Sequence, residues 1–423
     1  MAMFQQSPFP PGVKCQPFPE ELVMDRRQLL LGMTALGLTR NLTLPDFLNA
    51  QNIETGDSLL PTSNVNTSDR EGDGLRGPVR MSVVEVSHNF GKNVTTTEYD
   101  QDGRLLSMRS QNGDGSEWIR TCTYDAEGRL SRATYGRSDE PSNQMVYAYD
   151  DAGRVLSITN SENGFRTDFH YDSKGQKTET QIIPPRPGDL HTAVGLGAVA
   201  GSMAMESGYG LFDGGTVTKR YDDHDLPIES QILDSEGNLV TRIVRGYDSK
   251  GRLTAERMIP ENWEIGLAKQ MLAKAPEEFR TEEGLKQVTD KLRATLKAFG
   301  RDTETSYTYD AQGRMIGTHM QSNLWSQDTT MAYNDQGDIM EQRDTSARGS
   351  SALPFGVPFH QDEAGNMVPD KPQSEWPTQP DLLPRSTLIR YTYEYDSQGN
   401  WTEQTRILPD GSTSTTLRNL TYY

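Results

Sequence analysis

One short pattern constrains this chain more than any other feature: Tyr-Asp, two variable residues, Gly, usually Arg, then an apolar residue. It appears as Tyr99-Asp100 with Gly103-Arg104-Leu105, and as Tyr124-Asp125 with Gly128-Arg129-Leu130. Further copies are Tyr149-Asp150 with Gly153-Arg154-Val155, Tyr247-Asp248 with Gly251-Arg252-Leu253, and Tyr309-Asp310 with Gly313-Arg314-Met315. Looser copies are Tyr171-Asp172 with Gly175, Tyr333-Asn334 with Gly337, and Tyr395-Asp396 with Gly399-Asn400-Trp401. Tyr221-Asp222 lacks the Gly, and Asp234 to Gly237-Asn238-Leu239 lacks the Tyr. The first copies recur at roughly 22–25 residues, room for two short strands and two turns, so each unit reads as an antiparallel β-hairpin.

The residue types explain the turn. Asp opens it, because its carboxylate can accept from backbone N–H groups one or two residues on. Gly closes it, where the chain needs φ > 0. A type I turn with a Gly bulge meets both needs. The Tyr and the residue two before it share one sheet face, as in Cys122/Tyr124, Tyr147/Tyr149, Tyr307/Tyr309 and Tyr393/Tyr395. The residue two after the Gly is apolar in nearly every copy, Lys177 being the exception. Such a period of two predicts a half-buried antiparallel sheet whose other face of Thr, Ser, Arg, Glu and Gln is solvated.

Composition agrees with many short strands. Only 34% of residues are hydrophobic, with 38 Gly and 23 Pro. The formal charge of −18, from 60 acidic and 42 basic residues, argues against nucleic-acid or anionic-lipid partners. The two cysteines, Cys15 and Cys122, form no metal-type spacing or disulfide framework. No apolar run is long enough for a transmembrane helix. Near the start, Arg26-Arg27 leads into Leu29–Leu38, about ten mostly apolar residues, which resembles a twin-arginine export signal; Met24 is a second candidate start.

The chain divides into a possible export signal and N-terminal extension (1–50), a polar linker (51–76) and a repeat body (77–423). Asp69, Glu71 and Asp73 look like part of a calcium loop, but Arg80 stands at the position needing a bidentate carboxylate, so this reads as a solvated turn. Inserts interrupt the body at 184–216, 260–300 and 344–388. The first is Pro- and Gly-rich, with a weak apolar helix around Val194–Met205 as one option. The second is helical, with stripes Ile265, Ala268, Met271, Leu272, Ala275 and Leu285, Val288, Leu292, Leu296, Phe299 on either side of Pro276. The third reads as irregular. About nine hairpins make a sheet about 90 Å wide, which must curl or be covered. The 260–300 helices are expected to pack on its apolar concave face.

The iterated motif resembles the YD repeat of Rhs-type proteins, over roughly 90–180, 217–258, 303–343 and 389–408. The resemblance implies a mainly β fold in which hairpin repeats form a curled or spiral sheet, here with a helical insertion. Large family members enclose a toxin or act in cell-surface contact. This chain has few copies and large inserts, so it is expected to be a small, stand-alone member, too short for a closed chamber and without toxin delivery.

No catalytic signature accompanies the repeats. The histidines, His88, His170, His191, His224, His319 and His360, form no HExxH or His-x-His pair. The repeat carboxylates are periodic, whereas a catalytic pair is normally unique. Catalytic, cofactor and metal sites are therefore all expected to be absent. Tyr124, Tyr147, Tyr149, Tyr171, Tyr307, Tyr309, Tyr393 and Tyr395 are expected mainly as sheet packing, with a sugar-stacking ligand face as the minority reading. The expected function is non-catalytic: an exported structural and binding protein of the cell envelope or surface, contacting a protein or glycan. The alternative is a carbohydrate-active or other enzyme whose site lies in the inserts.

Overall fold

In the computed structural model, the described residues are 68–423, apart from 89–90, 139–142, 161–163, 186–205, 207–210, 212, 274, 298–301, 323–324, 349–358, 362–366 and 370–384. The candidate export signal, Cys15, the Val194–Met205 helix, Phe299 and most of the third insert lie outside them.

Twenty strands form one antiparallel sheet in which each strand pairs with its neighbour in sequence. The first strand, Val79–His88, also pairs with the last, Thr413–Tyr422, from Val79↔Tyr422 to Val86↔Thr416. The sheet is therefore a closed barrel. The expected mainly β array of antiparallel hairpins in a curled sheet is present, and its more specific form is a closed barrel, not a spiral. A ring of twenty strands is about 95 Å around and roughly 30 Å across before strand tilt widens it. Closure removes both edges of the wide sheet, so no covering layer is required to satisfy them.

Each repeat turn has the expected geometry. In the Tyr124 copy, Gly128 N–H donates to Asp125 O (3.0 Å) and Asp125 N–H to Arg129 O (2.9 Å), with Gly128 at φ +79°. A second irregularity follows immediately. Tyr124 faces Leu130 but Thr123 faces Arg132, which leaves Ser131 as an extra residue. The same one-residue bulge occurs after Gly153 and Gly313. It returns side chains to the packed face three residues after the apolar position, so Leu130 and Ala133 are both buried, as is Ile158 after Val155. The Tyr171 copy has no such bulge: Tyr171↔Lys177 is followed directly by His170↔Thr178. Its next buried residue on that face is consequently Glu179.

Because successive strands alternate in direction, the connections alternate between two rims. The repeat turns occupy one rim. The other rim carries the connections Ile183 to Gly215, Pro260 to Thr303 and Arg348 to Arg385, which are the three inserts. The Asp234–Asn238 turn lies on that second rim too, which explains its missing Tyr: Ile232 rather than Leu233 faces the packed side and is fully buried.

The helical insert consists of α1 (Trp263–Ala273), a 3₁₀ turn at Glu277–Phe279, and α2 (Glu282–Lys297). The helices pack on each other, antiparallel, with Arg293 Nε donating to buried Glu264 Oε1 (2.7 Å). Their ties to the sheet are at strand ends: Asn262 donates to Leu239 O (2.9 Å) and Lys269 pairs with Glu236. The expected packing across the apolar face is thus replaced by attachment at the rim, because closure already satisfies the sheet.

The segment expected as linker and solvated turn is built into the body from Ser68 onward. Ser68 caps a single helical turn, Asp69–Gly72, and Asp69 accepts from Leu105 N–H (2.8 Å) while Asp73 accepts from the Tyr99 hydroxyl. These carboxylates face the sheet.

Candidate functional site

The repeat rim is a chain of interlocking clamps. Within one turn, Asp125 Oδ1 accepts from the amides of Glu127 (3.1 Å) and Arg129 (2.8 Å), two and four residues on. Its other oxygen takes the Arg129 Nε–H at 2.7 Å. The guanidinium then lies over the tyrosine of the next repeat, 4.6 Å from the Tyr149 ring centroid. That tyrosine sends its hydroxyl back to Leu130 O (2.7 Å), the first residue of the preceding return strand. The cycle recurs with Arg104 over Tyr124 (5.2 Å) and Tyr124 Oη to Leu105 O (2.8 Å). It spans the helical insert unbroken, with Arg252 over Tyr309 (4.6 Å) and Tyr309 Oη to Leu253 O (2.8 Å). Across the first insert Lys177 substitutes, 4.0 Å from the Tyr221 ring centroid. The motif arginine, read from sequence as part of a solvated face, is therefore the link between repeats.

These bonds set the electrostatics. The side-chain hydrogen bond from Arg252 and two backbone N–H donors hold Asp248 at about 2. Backbone and side-chain bonds from Arg154 likewise lower Asp150. Burial pushes the tyrosine hydroxyls up, Tyr247 to about 12, so they remain donors at any physiological pH.

The sequence-predicted aromatics all lie in this ladder or directly beneath it. Tyr147 is buried. Tyr124, Tyr149, Tyr171, Tyr309 and Tyr393 are half-buried with hydroxyls bonded to backbone carbonyls. Tyr395 bonds Asp338 (2.7 Å) and Asn334 (2.7 Å), and Tyr307 is half-buried. The hydroxyls of Tyr124, Tyr149, Tyr171, Tyr309, Tyr393 and Tyr395 are engaged within the barrel.

A second cluster, which sequence reasoning missed, sits on the packed face next to the first insert. Glu206, from that insert, accepts from Arg245 Nη1 (2.7 Å), lies 3.8 Å from Lys219 Nζ and is bonded by the Ser230 hydroxyl. Lys219 also pairs with Glu179 (3.3 Å), Arg245 with Glu256 (2.8 Å), and the Tyr221 hydroxyl donates to Glu179. Burial pushes Glu206 up, but Lys219 and Arg245 outweigh it and hold the carboxyl below its ordinary range. Burial likewise opposes the Lys219 charge, and Glu179 and Glu206 outweigh it. The absent bulge of the Tyr171 copy was the available signal for Glu179. Glu206 carries none in the sequence, because its partners Lys219, Ser230 and Arg245 lie on three separate strands.

Among the described residues, no group of three or more His, Cys, Asp or Glu is arranged to hold a metal ion. Cys122 is a free thiol packed beside Tyr124 and Tyr147, and burial raises it above the ordinary thiol range.

Residues 149–182, from Tyr149 to Ile182, match the RHS Repeat family model. The chain carries an RHS repeat. Solved structures similar to it include a porin-like protein from Bacteroides uniformis, 10% identical, covering 82% of this chain and 99% of that one at a TM-score of 0.30. The TcdB2-TccC3 complex is 14% identical, with 80% of this chain and 19% of that one covered at a TM-score of 0.22. A porin-like protein from Bacteroides vulgatus is 11% identical, with 82% and 99% covered at a TM-score of 0.26.

Proposed function

We propose that this RHS-repeat barrel is a non-catalytic structural and binding protein of the cell envelope or surface, and that it contacts its protein or glycan partner through the insert-bearing rim. The observation carrying this reading is the division of labour between rims. At the repeat rim, the conspicuous carboxylates, arginines and tyrosines are consumed in ties between repeats. The connections free to vary in length and composition all leave from the other rim.

Support for the non-catalytic reading comes from the charge network. A glycosidase needs a carboxylic acid held protonated near neutral pH. Glu206 is instead held ionised by Lys219 and Arg245. The barrel also fits water rather than lipid on both sides. Arg132, Asp168, Arg257, Asp328 and Arg343 stand within strands on one face, and Glu179, Lys219, Arg245, Glu256 and Asp344 on the other. A membrane barrel needs one face apolar through the bilayer. Among the described residues no helix is long and apolar enough to cross a membrane. Export rests on the Arg26-Arg27 segment.

Cell fractionation with N-terminal sequencing tests the location: the reading expects envelope or secreted protein cleaved before Ser68, and full-length cytoplasmic protein contradicts it. A glycan array and an envelope pull-down test the rim, each run alongside a variant in which 186–205 is replaced by a short Gly/Ser linker that leaves Glu206 in place. Binding lost in the variant supports the assignment; binding that is absent throughout, or unchanged in the variant, overturns it.

A further inference from the structure

Besides the Lys177 substitution, the motif arginine is replaced by Leu226 in the Tyr221 copy, by Asn400 in the Tyr395 copy, and at one further turn. In the Tyr333 copy the position after Gly337 is Asp338, so that turn has no arginine to reach the next repeat, which begins at Tyr395 beyond the third insert. Asp338 instead accepts from the Tyr395 hydroxyl. The missing guanidinium is nevertheless present. Arg76, from the segment before the first strand, donates through Nη1 to Gln336 Oε1 (3.2 Å) and to Gly399 O (2.9 Å), and through Nη2 to Gln336 O. It bridges the turn of the Tyr333 copy to the turn of the Tyr395 copy, as a native arginine would.

Its placement over the next turn's glycine matches a regular clamp. A Cβ added at Gly399 would lie 2.8 Å from Arg76 Nη1, and one at Gly128 would lie 2.3 Å from Arg104 Nη1. In both cases the guanidinium occupies the space over the next repeat's glycine. Arg76 also acts electrostatically on Tyr395, the ring that an arginine at 338 would cover. The backbone around it is locked by Asn400, which fills the arginine position of the Tyr395 copy. Arg76 N–H donates to Asn400 Oδ1 (2.7 Å) and Asn400 Nδ2 donates to Arg76 O (2.9 Å).

We propose that residues 68–78 are a strap that supplies from the N-terminal side the arginine missing at position 338, so that the clamp across the third insert depends on this segment being docked. The repeats flanking that insert, at Tyr333 and Tyr395, then form a junction of the ladder whose guanidinium comes from outside the repeats. The N-terminal segment thereby controls the stability of the barrel at the third insert. Loss or displacement of the strap opens this junction before any other.

The test is residue-resolved hydrogen exchange on the full chain and on R76A, D338R and R76A/D338R. The readout is the Gly337, Gly399 and Asn400 amides, with the 149–183 strands as internal reference. Arg76→Ala removes charge-assisted hydrogen bonds and is expected to speed exchange at the junction about tenfold or more. Adding Asp338→Arg to that variant is expected to slow it again by at least about threefold, because the guanidinium is restored from within the repeat, while D338R alone gives no slowing. Unchanged exchange in R76A overturns the proposal, and so does a D338R effect of equal size in both backgrounds. Should R76A fail to fold, Arg76→Lys, which keeps the charge and loses the fork, carries the same comparison.

Discussion

Glycine-to-alanine substitution at equivalent turns separates the cost of the turn from the cost of the clamp. Gly175 and Gly128 share nearly the same backbone conformation, at φ +84° and +79°. A side chain at either position pays the left-handed penalty, roughly 1–2 kcal/mol. Their surroundings differ. A Cβ at Gly175 meets nothing within 4 Å, whereas one at Gly128 would lie 2.3 Å from Arg104 Nη1. Alanine at 128 therefore forces the Arg104 guanidinium off its seat over Tyr124. An exposed cation–aromatic contact is worth about 0.5–1 kcal/mol, and this is the extra loss expected. The complementary change is at Asp225, a non-glycine residue at φ +65° in the copy that lacks Gly. Asp225→Gly should stabilise by up to about 1 kcal/mol, less a small amount for its exposed pair with Lys177. Urea denaturation of the three variants measures these differences. Equal losses for Gly128→Ala and Gly175→Ala would refute the clamp, since they would show that the guanidinium relocates without cost.

The remaining predictions address the ladder and the buried network. Tyr149→Phe removes the donor to Leu130 O and should cost about 1–2 kcal/mol by denaturation, with exchange rising at the Leu130–Arg137 strand. Acidification should destabilise the barrel through turn carboxylates such as Asp248, held at about 2 by its bonds to Arg252. A depressed carboxyl contributes stability above its unfolded value near 4 and loses it as pH falls through the folded value. The thermal midpoint should therefore drop between about pH 4 and pH 2, and less so in Asp248→Asn. Glu206→Ala leaves Arg245 and Lys219 with Glu256 and Glu179 alone, and breaking a buried pair costs about 3–5 kcal/mol. Calorimetry should show a much larger loss for Glu206→Ala than for Glu127→Ala, whose carboxylate is exposed.

Much of the turn could be read directly from residues. Asp, Gly and Tyr each announce a local requirement, and Gly128 at positive φ beneath the Asp125 carboxylate meets it. The arginine could not be assigned that way. Its partners are the aspartate four residues before it and a tyrosine about one repeat later, so its role emerges only when repeats are stacked. Closure was hidden for a related reason. Nothing at Val79 or Tyr422 marks them as partners, because antiparallel pairing of β-branched strands is permissive and register is fixed by the whole ring. The gathering of inserts on one rim was present in the sequence, since each follows a return strand, but it gains meaning only from the alternation of strand direction. Glu206 lies at the far limit of legibility: an ordinary acidic residue in an insert, made significant by charges brought together from separate strands.

Closure is the claim on which the two rims, the strap and the ladder all depend. In an open sheet the first and last strands are edges, and alternate amides of each have no partner. In the closed barrel those alternate amides of Val79–Val86 and Thr416–Tyr422 pair across the seam. Residue-resolved hydrogen exchange on these two strands is the direct test. Protection of consecutive amides on both, comparable to the Leu239–Tyr247 strand within the array, is the predicted result; fast exchange at every second residue of the first and last strands would contradict it.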